Sequence, residues 1–309
     1  QRIVEQKDAN EQEMQITEVN TGILCVPNCH LHQWLPGLKN NNAQGEYYLT
    51  DIIALAVQQG LTVHTYQPQA AWEVEGINDK LQLATLERVY QRLQAEQLMR
   101  AGATIIDPTR FDIRGTATIG MDVFFDANVL LEGDNHFGHG VKVGTNCVIK
   151  NCKIADGVEI RANSVLEDAE IGQNAQIGPF ARIRPQSKIG ANVHIGNFVE
   201  TKNTIMADGA KANHLAYLGD SEVGERSNIG AGTITCNYDG ANKIKTIIGA
   251  DAFIGSNSSL IAPVVIGEGA TTGAGSAISK DVPANHLAVA RGIQRNIEGW
   301  NRPKKTKSS

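Results

Sequence analysis

No stretch of this chain approaches the roughly 20 consecutive apolar residues that a membrane-spanning helix needs, and no signal peptide is legible at its start. Basic residues are not in excess. The 28 Lys and Arg stand against 33 Asp and Glu for a net charge of -5, which leaves no cationic face for nucleic acid or for an anionic membrane surface. Cysteines are few and odd in number: Cys25, Cys29, Cys147, Cys152 and Cys236. In a chain of 309 residues, long enough to bury a core without staples, they read as reduced thiols in a cytoplasm. The stretch Cys25-x3-Cys29-His30-x-His32 lacks the second spaced ligand pair of a structural zinc site. Its first cysteine lies in the apolar run Gly22-Ile23-Leu24-Cys25-Val26, so strand packing is the reading. The first residue is Gln rather than Met, as expected of a mature or truncated piece.

What is present is a beat of six. Aliphatic or aromatic residues fall at Ile119, Phe125, Leu131, Phe137, Val143 and Ile149, then at Ile171, Ile177, Ile183, Ile189 and Ile195, and again at Ile248, Ile254, Leu260, Ile266 and Ile278. An amphipathic helix needs apolar residues three and four apart, and a sandwich spaces its turns irregularly, so neither produces this pattern. A fixed period of six is the hexapeptide signature of a parallel β-helix, in which three units close one coil. The aliphatic residue points to the axis, and Gly, Asn or Asp supplies the positive φ that each corner requires.

Residues 1–80 read as α/β, with β-like runs at 22–26 and 61–66 flanking a helical stretch near 49–59. A linker helix over 81–101 carries Leu81, Leu86, Val89, Leu93 and Met99 at helical spacing, with Gly102 just beyond its end. The solenoid fills 102–309 with a tail containing Arg291, Trp300 and the basic Lys304, Lys305 and Lys307. The beat fails between Thr235 and Ile248 and is disturbed from Glu200 to Leu218, a segment holding Lys202, His214 and Tyr217. Loops ejected from a rigid repeat are where binding chemistry is placed.

The runs Ile177-Gly178-Pro179-Phe180-Ala181-Arg182-Ile183-Arg184-Pro185, Gly196-Asn197-Phe198-Val199-Glu200-Thr201-Lys202, His214-Leu215-Ala216-Tyr217-Leu218-Gly219-Asp220 and Asn228-Ile229-Gly230-Ala231-Gly232-Thr233-Ile234-Thr235-Cys236-Asn237-Tyr238-Asp239-Gly240 carry a specific resemblance. They resemble the bacterial bifunctional N-acetylglucosamine-1-phosphate uridyltransferases and glucosamine-1-phosphate acetyltransferases, in order over the whole chain. The resemblance implies a left-handed parallel β-helix of hexapeptide repeats. Before it come a linker helix and, ahead of that, the C-terminal remnant of an α/β Rossmann-like nucleotidyltransferase domain. It implies acetyl transfer from acetyl-CoA to the amine of glucosamine-1-phosphate, followed in the full-length protein by uridylyl transfer from UTP with Mg2+ to give UDP-N-acetylglucosamine, a precursor of peptidoglycan and lipopolysaccharide. It also implies a cytoplasmic homotrimer with acetylation sites between neighbouring solenoids.

By the same resemblance His214 is the general base, and a neutral imidazole suits that task. Arg184, Lys202 and Lys243 clamp the sugar phosphate, Tyr217 and Asn228 hold the sugar, and Glu200 orients the amine or His214. Ala231, Asn237, Tyr238, Ser256, Ala274 and Arg291 meet acetyl-CoA, the two alanines through their backbone groups and Ser256 near the thioester. No covalent nucleophile is needed, Cys236 notwithstanding. In residues 1–80, Glu5 and Asn20 match UDP-sugar contacts, and Asn78 matches a sugar and magnesium ligand as well as a helix N-cap. The Gly-rich nucleotide loop of the family is absent, so this piece is expected to retain acetylation alone. Two other classes stay open: a zinc hexapeptide protein like the γ-class carbonic anhydrases, through His136, His139, His194 and His214, and a non-catalytic solenoid that binds partners.

Overall fold

The computed structural model describes residues 2–302; Lys304, Lys305 and Lys307 lie outside them. The chain divides into two compact units after Val89. In the first, helices α1 (Asn28–Trp34) and α2 (Ile52–Gln58) enclose a small core of Trp34, Ile52 and Ala56. The expected strands at 22–26 and 61–66 do not form. A strand is held by its neighbour's ladder, and no neighbouring strand exists among the described residues of this unit. Cys25 is accordingly exposed rather than packed in a sheet, and Cys29 is exposed on α1.

Helix α3 (Lys80–Arg100) starts at Asp79, whose Oδ1 accepts the Gln82 N–H at 2.8 Å, while the Gln82 side chain accepts from the Asn78 N–H at 2.7 Å. Asp79, not Asn78, is therefore the cap. Its best-buried positions are Gln91, Ala95 and Leu98, whereas Leu81 at the head of the expected stripe is exposed. The stripe predicted from apolar spacing missed Gln91 because its burial is polar. Its amide accepts the Ile113 N–H at 2.7 Å and donates to the Ile113 carbonyl at 2.9 Å. The side chain thus takes the place of a neighbouring strand at the first coil's open edge.

From Thr104 onward the chain winds into a parallel β-helix with three ladders. One runs through eleven strands from Thr104–Ile105 to Leu287–Ala288. The other two share long strands that turn a corner, such as Glu200–Met206 and Tyr217–Val223, each pairing at both ends with the coil below. The beat of six points inward as expected: Ile171, Ile177, Ile183, Ile189 and Ile195 are all at most 3% exposed. Coils are not uniformly three sixes, however. The register offset is 18 where Ile171 meets Ile189, 17 where Ile160 meets Ile177, and 25 where Ile229 meets Ile254.

The offset of 25 marks the loop at residues 237–245, ejected as the failed beat predicted. The disturbance at Glu200 to Leu218 is of another kind. Strands persist through it, at Glu200–Met206, Lys211–His214 and from Tyr217 on, with Glu200 opposite Tyr217, and the missing residue is absorbed at the corners between them.

Corners need left-handed backbone, which Asn tolerates and most side chains resist by roughly 1–2 kcal/mol. Along one edge the corner residues are Asn128, Asn146 and Asn163 at φ near 60°, the first two donating side-chain amides to the next Asn up. The same edge then carries Phe180 (φ 56°), Phe198 (φ 57°) and Leu215 (φ 47°). Burial in the coil interior pushes the Cys147 and Cys152 thiols up to about 11. Since the thiolate is the reactive form, these two should resist an aromatic disulfide reagent in the folded protein at about pH 8 and react only on unfolding or as the pH climbs toward their raised value. Cys25 and Cys29 should label promptly, and rapid native labelling of Cys147 or Cys152 would contradict their inward placement.

Candidate active site

The corner edge described above organises the site. Immediately before its corner residues lie Asn197, His214, Ala231, Ser256 and Ala274, one in each successive coil, as shown by the bonds Leu215 N–H to Asn197, Asn257 N–H to Ala231 and Gly275 N–H to Ser256. Neighbouring members are therefore stacked about 4.8 Å apart. Residues as much as 77 positions apart in sequence thus form one short column, which joins the expected base to three of the expected acetyl-CoA residues.

His214 Nδ1 is 2.6 Å from Asn197 Oδ1. An amide oxygen only accepts, so Nδ1 carries the proton and Nε2 is left with its lone pair free. Asn197 was missed as a functional residue, although it sits one 17-residue coil below His214 in register. Above the base, the N–H groups of Ala231, Ser256 and Ala274 have no acceptor among the described residues. Ser256 is exposed, and the Arg291 guanidinium donates to the Ala274 carbonyl at 2.9 Å, which ties the tail to the top of the column. A column of free donors leading away from an exposed base suits an extended acyl donor with a carbonyl and several amides.

Below the base, a groove of about 470 Å³ is bounded by Arg161, Phe180, His194, Phe198 and His214. The rings of Phe180 and Phe198 stack with centroids 5.4 Å apart. Partial burial, followed by the nearby charges of Arg161 and Lys211, holds His194 below its ordinary value and so favours the neutral ring.

Past the corner, the adjoining face carries a charged ladder. Arg114 pairs with Glu132 at 3.4 Å and Lys150 with Glu167 at 3.3 Å, an alternation of sign from coil to coil. The alternation fails at Arg184, whose register neighbour one coil up is Lys202. Like charges directly opposite on neighbouring strands repel, and an anion between them would relieve that repulsion. Arg184 is steadied from one side by Glu200 at 2.8 Å, and Lys202 has no ion-pair partner among the described residues. Glu200 therefore engages Arg184 rather than His214. Tyr217 lies beside Glu200 in register, near the corner, whereas Asn228 stands on the face before it, between Lys211 and Phe253.

Asn237, Tyr238 and Lys243 belong to the ejected loop. Asn237 is buried at its root and donates to the Asp220 carboxylate. Asp239 closes the tip by accepting the Asn242 N–H at 2.6 Å and the Ala241 N–H at 2.8 Å, bonds that hold its carboxyl below the usual range. The Lys243 ammonium sits 4.3 Å from the Tyr238 ring centre. The loop leaves the solenoid at the corner of Asp220, not at that of Leu215. Five residues of extended strand, roughly 16 Å, separate the two edges. The structure thus brings His214, Ala231, Ser256, Ala274 and Arg291 together with Tyr217 two residues past the same corner, whereas Lys202, just before the corner at Asn203, and Arg184 in register with it lie toward the edge from which the Lys243 loop leaves.

The expected UDP-sugar residues are not gathered. Glu5 bonds Thr50 at 3.4 Å, Asn20 is exposed, and Asn78 donates to Gln82; no hydrogen bond among the described residues connects the three. No group of three or more His, Cys, Asp or Glu among the described residues is placed to hold a metal ion. Asn78 accordingly has no such cluster of ligands beside it among the described residues. His136 bonds Asp134 at 3.0 Å and His139 accepts the Met121 N–H at 2.9 Å, so both are engaged away from His214. No helix of the described residues is long and apolar enough to cross a membrane.

Residues 168–203 and 245–280 match the family model of the bacterial transferase hexapeptide (six repeats). The chain is 61% identical over 307 residues to the Bifunctional protein GlmU of Acinetobacter baylyi, covering 99% of this chain and 68% of that protein. The Bifunctional protein GlmU of Marinobacter nauticus is 59% identical over 305 residues, covering 99% of this chain and 67% of its own. The solved UDP-N-acetylglucosamine acyltransferase from Campylobacter jejuni, 22% identical, superposes over 60% of this chain and 71% of its own with a TM-score of 0.41, a likeness too loose to carry weight.

At about pH 8, nitrogen-15 resonances of His214 should report a protonated Nδ1 and a bare Nε2. A dominant Nε2–H tautomer would contradict the Asn197 bond.

Proposed function

The chain belongs to the GlmU family of bifunctional proteins, and we propose that its solenoid, left-handed as in the hexapeptide transferases, transfers the acetyl group of acetyl-CoA to the amine of glucosamine-1-phosphate. The observation that carries this reading is the His214 to Asn197 hydrogen bond of 2.6 Å, which turns a bare Nε2 outward beside a column of free backbone donors.

The neutral amine attacks the thioester carbonyl while Nε2 of His214 takes one of its protons, so a C–N bond forms as the carbonyl oxygen becomes an oxyanion. A free N–H of the column, Ala231 being nearest in the stack, stabilises that charge. The C–S bond then breaks, the sulfur leaves with the electron pair, and the imidazolium returns the proton to it, with the Ser256 hydroxyl alongside. Arg184 and Lys202 hold the phosphate, the reason their ladder lacks an intervening acid. Tyr217 and Asn228 flank the sugar from the two faces. Pantetheine runs up the column past Ala274 to Arg291, which meets the donor's phosphates.

Lys243, Asn237 and Tyr238 complete a site only if the loop reaches another copy, since within one chain roughly 16 Å of strand lies between its edge and that of His214. A homotrimer with a shared site at each contact supplies that reach and is part of the proposal. So are cytoplasmic location and, for the whole protein, uridylyl transfer from UTP with magnesium.

Release of CoA thiol in the presence of glucosamine-1-phosphate tests the reading. His214→Ala should lower kcat about 10²- to 10⁴-fold with the coil intact. Retention of parental turnover would remove His214 from the chemistry.

A further inference from the structure

Gly219 stands in the charged ladder one coil above Lys202, where that ladder has a rung without a side chain. Its backbone is not left-handed, so conformation does not demand glycine there. Space does. A Cβ on Gly219 would lie 2.7 Å from Tyr217 Cζ, closer still to the Tyr217 hydroxyl, and 2.9 Å from Asn237 Nδ2. The Tyr217 ring lies across Gly219, and the Tyr217 hydroxyl and the Asn237 amide at the loop root both occupy the space a side chain there would fill. On the far side of the same glycine, Asp220 takes up the loop root. Its carboxylate accepts from Asn237 Nδ2 and, at 2.7 Å, from Asn203 Nδ2. The peptide is pinned from the next coil, since Gly219 N–H donates to Thr235 Oγ1 at 2.8 Å and Thr235 Oγ1 donates to the Gly219 carbonyl at 3.0 Å.

We propose that Gly219 is a positioning residue for acetyl transfer: the missing side chain seats the Tyr217 phenol against Asn237, so that the sugar-holding tyrosine and the root of the anion-clamping loop are set as one unit. The inference rests on the reading of Tyr217 as a sugar contact, but the geometry that carries it does not. Because the crowding atoms belong to two side chains and not to backbone, an alanine at 219 displaces Tyr217 and Asn237 and leaves the coil unbroken.

Gly219→Ala in the full chain should keep the thermal midpoint of the solenoid, raise KM for glucosamine-1-phosphate about tenfold and change kcat by no more than about twofold. In a Tyr217→Ala background, adding Gly219→Ala should raise KM no further, because the residue acts through the tyrosine. Amide exchange at residues 237–245, measured without substrate, should quicken in Gly219→Ala while strand amides are unchanged. Unchanged exchange in the loop overturns the proposal, as does an unchanged KM, or effects that simply multiply in the double variant. A parent chain with no acetyl transfer would instead defeat the functional reading, and loop exchange would still decide whether Gly219 sets the joint.

Discussion

Every feature of the site depends on one constraint, the backbone ladder that bonds each strand to the same stretch of chain one coil away. Parallel pairing at offsets of 17 or 18 residues fixes each outward side chain above its counterpart at about 4.8 Å. The ladder turns sequence into columns. Asn197, His214, Ala231, Ser256 and Ala274 are distant in the chain and adjacent in space for that reason alone, and Arg184 meets Lys202 by the same rule. Extra residues can leave only at a corner, since an insertion within a strand would flip every side chain beyond it.

The constraint also divides the chemistry between two edges. One edge carries the base, the free donors and the corner residues Phe180, Phe198 and Leu215, which accept left-handed backbone that Asn would adopt more cheaply. The other carries the loop of Asn237 to Lys245, fastened by Asp220. On the face between them the Tyr217 ring lies across Gly219. A solenoid cannot bend to close a cleft on its own base. A second copy is the economical way to bring cations to it.

Much of this was legible because a period of six has one structural meaning. Ile177, Ile183, Ile189 and Ile195 point inward as read, and the failed beat after Thr235 is an ejected loop. Other features depend on what a period does not encode. The shortening of coils to 17 looked like a disrupted segment at Glu200 to Leu218, because a residue lost at a corner shifts the beat without breaking any strand. The pairing of Asn197 with His214 depends on a 17-residue coil offset that a period of six does not give. The runs at 22–26 and 61–66 have strand composition but no pairing partner among the described residues, and a strand is a property of the pair. Gln91 was invisible to apolar patterning because it is buried by hydrogen bonds to Ile113.

The central claim is that base and loop serve one site only across two copies. Coexpression of His214→Ala copies with Lys243→Ala copies tests it most directly, with acetyl transfer measured on the purified mixture. If the site is shared, activity returns in mixed assemblies, where an intact His214 from one copy meets an intact Lys243 from another, although each variant alone is inactive. If the mixture stays as inactive as its components, the site lies within a single chain and the claim is wrong.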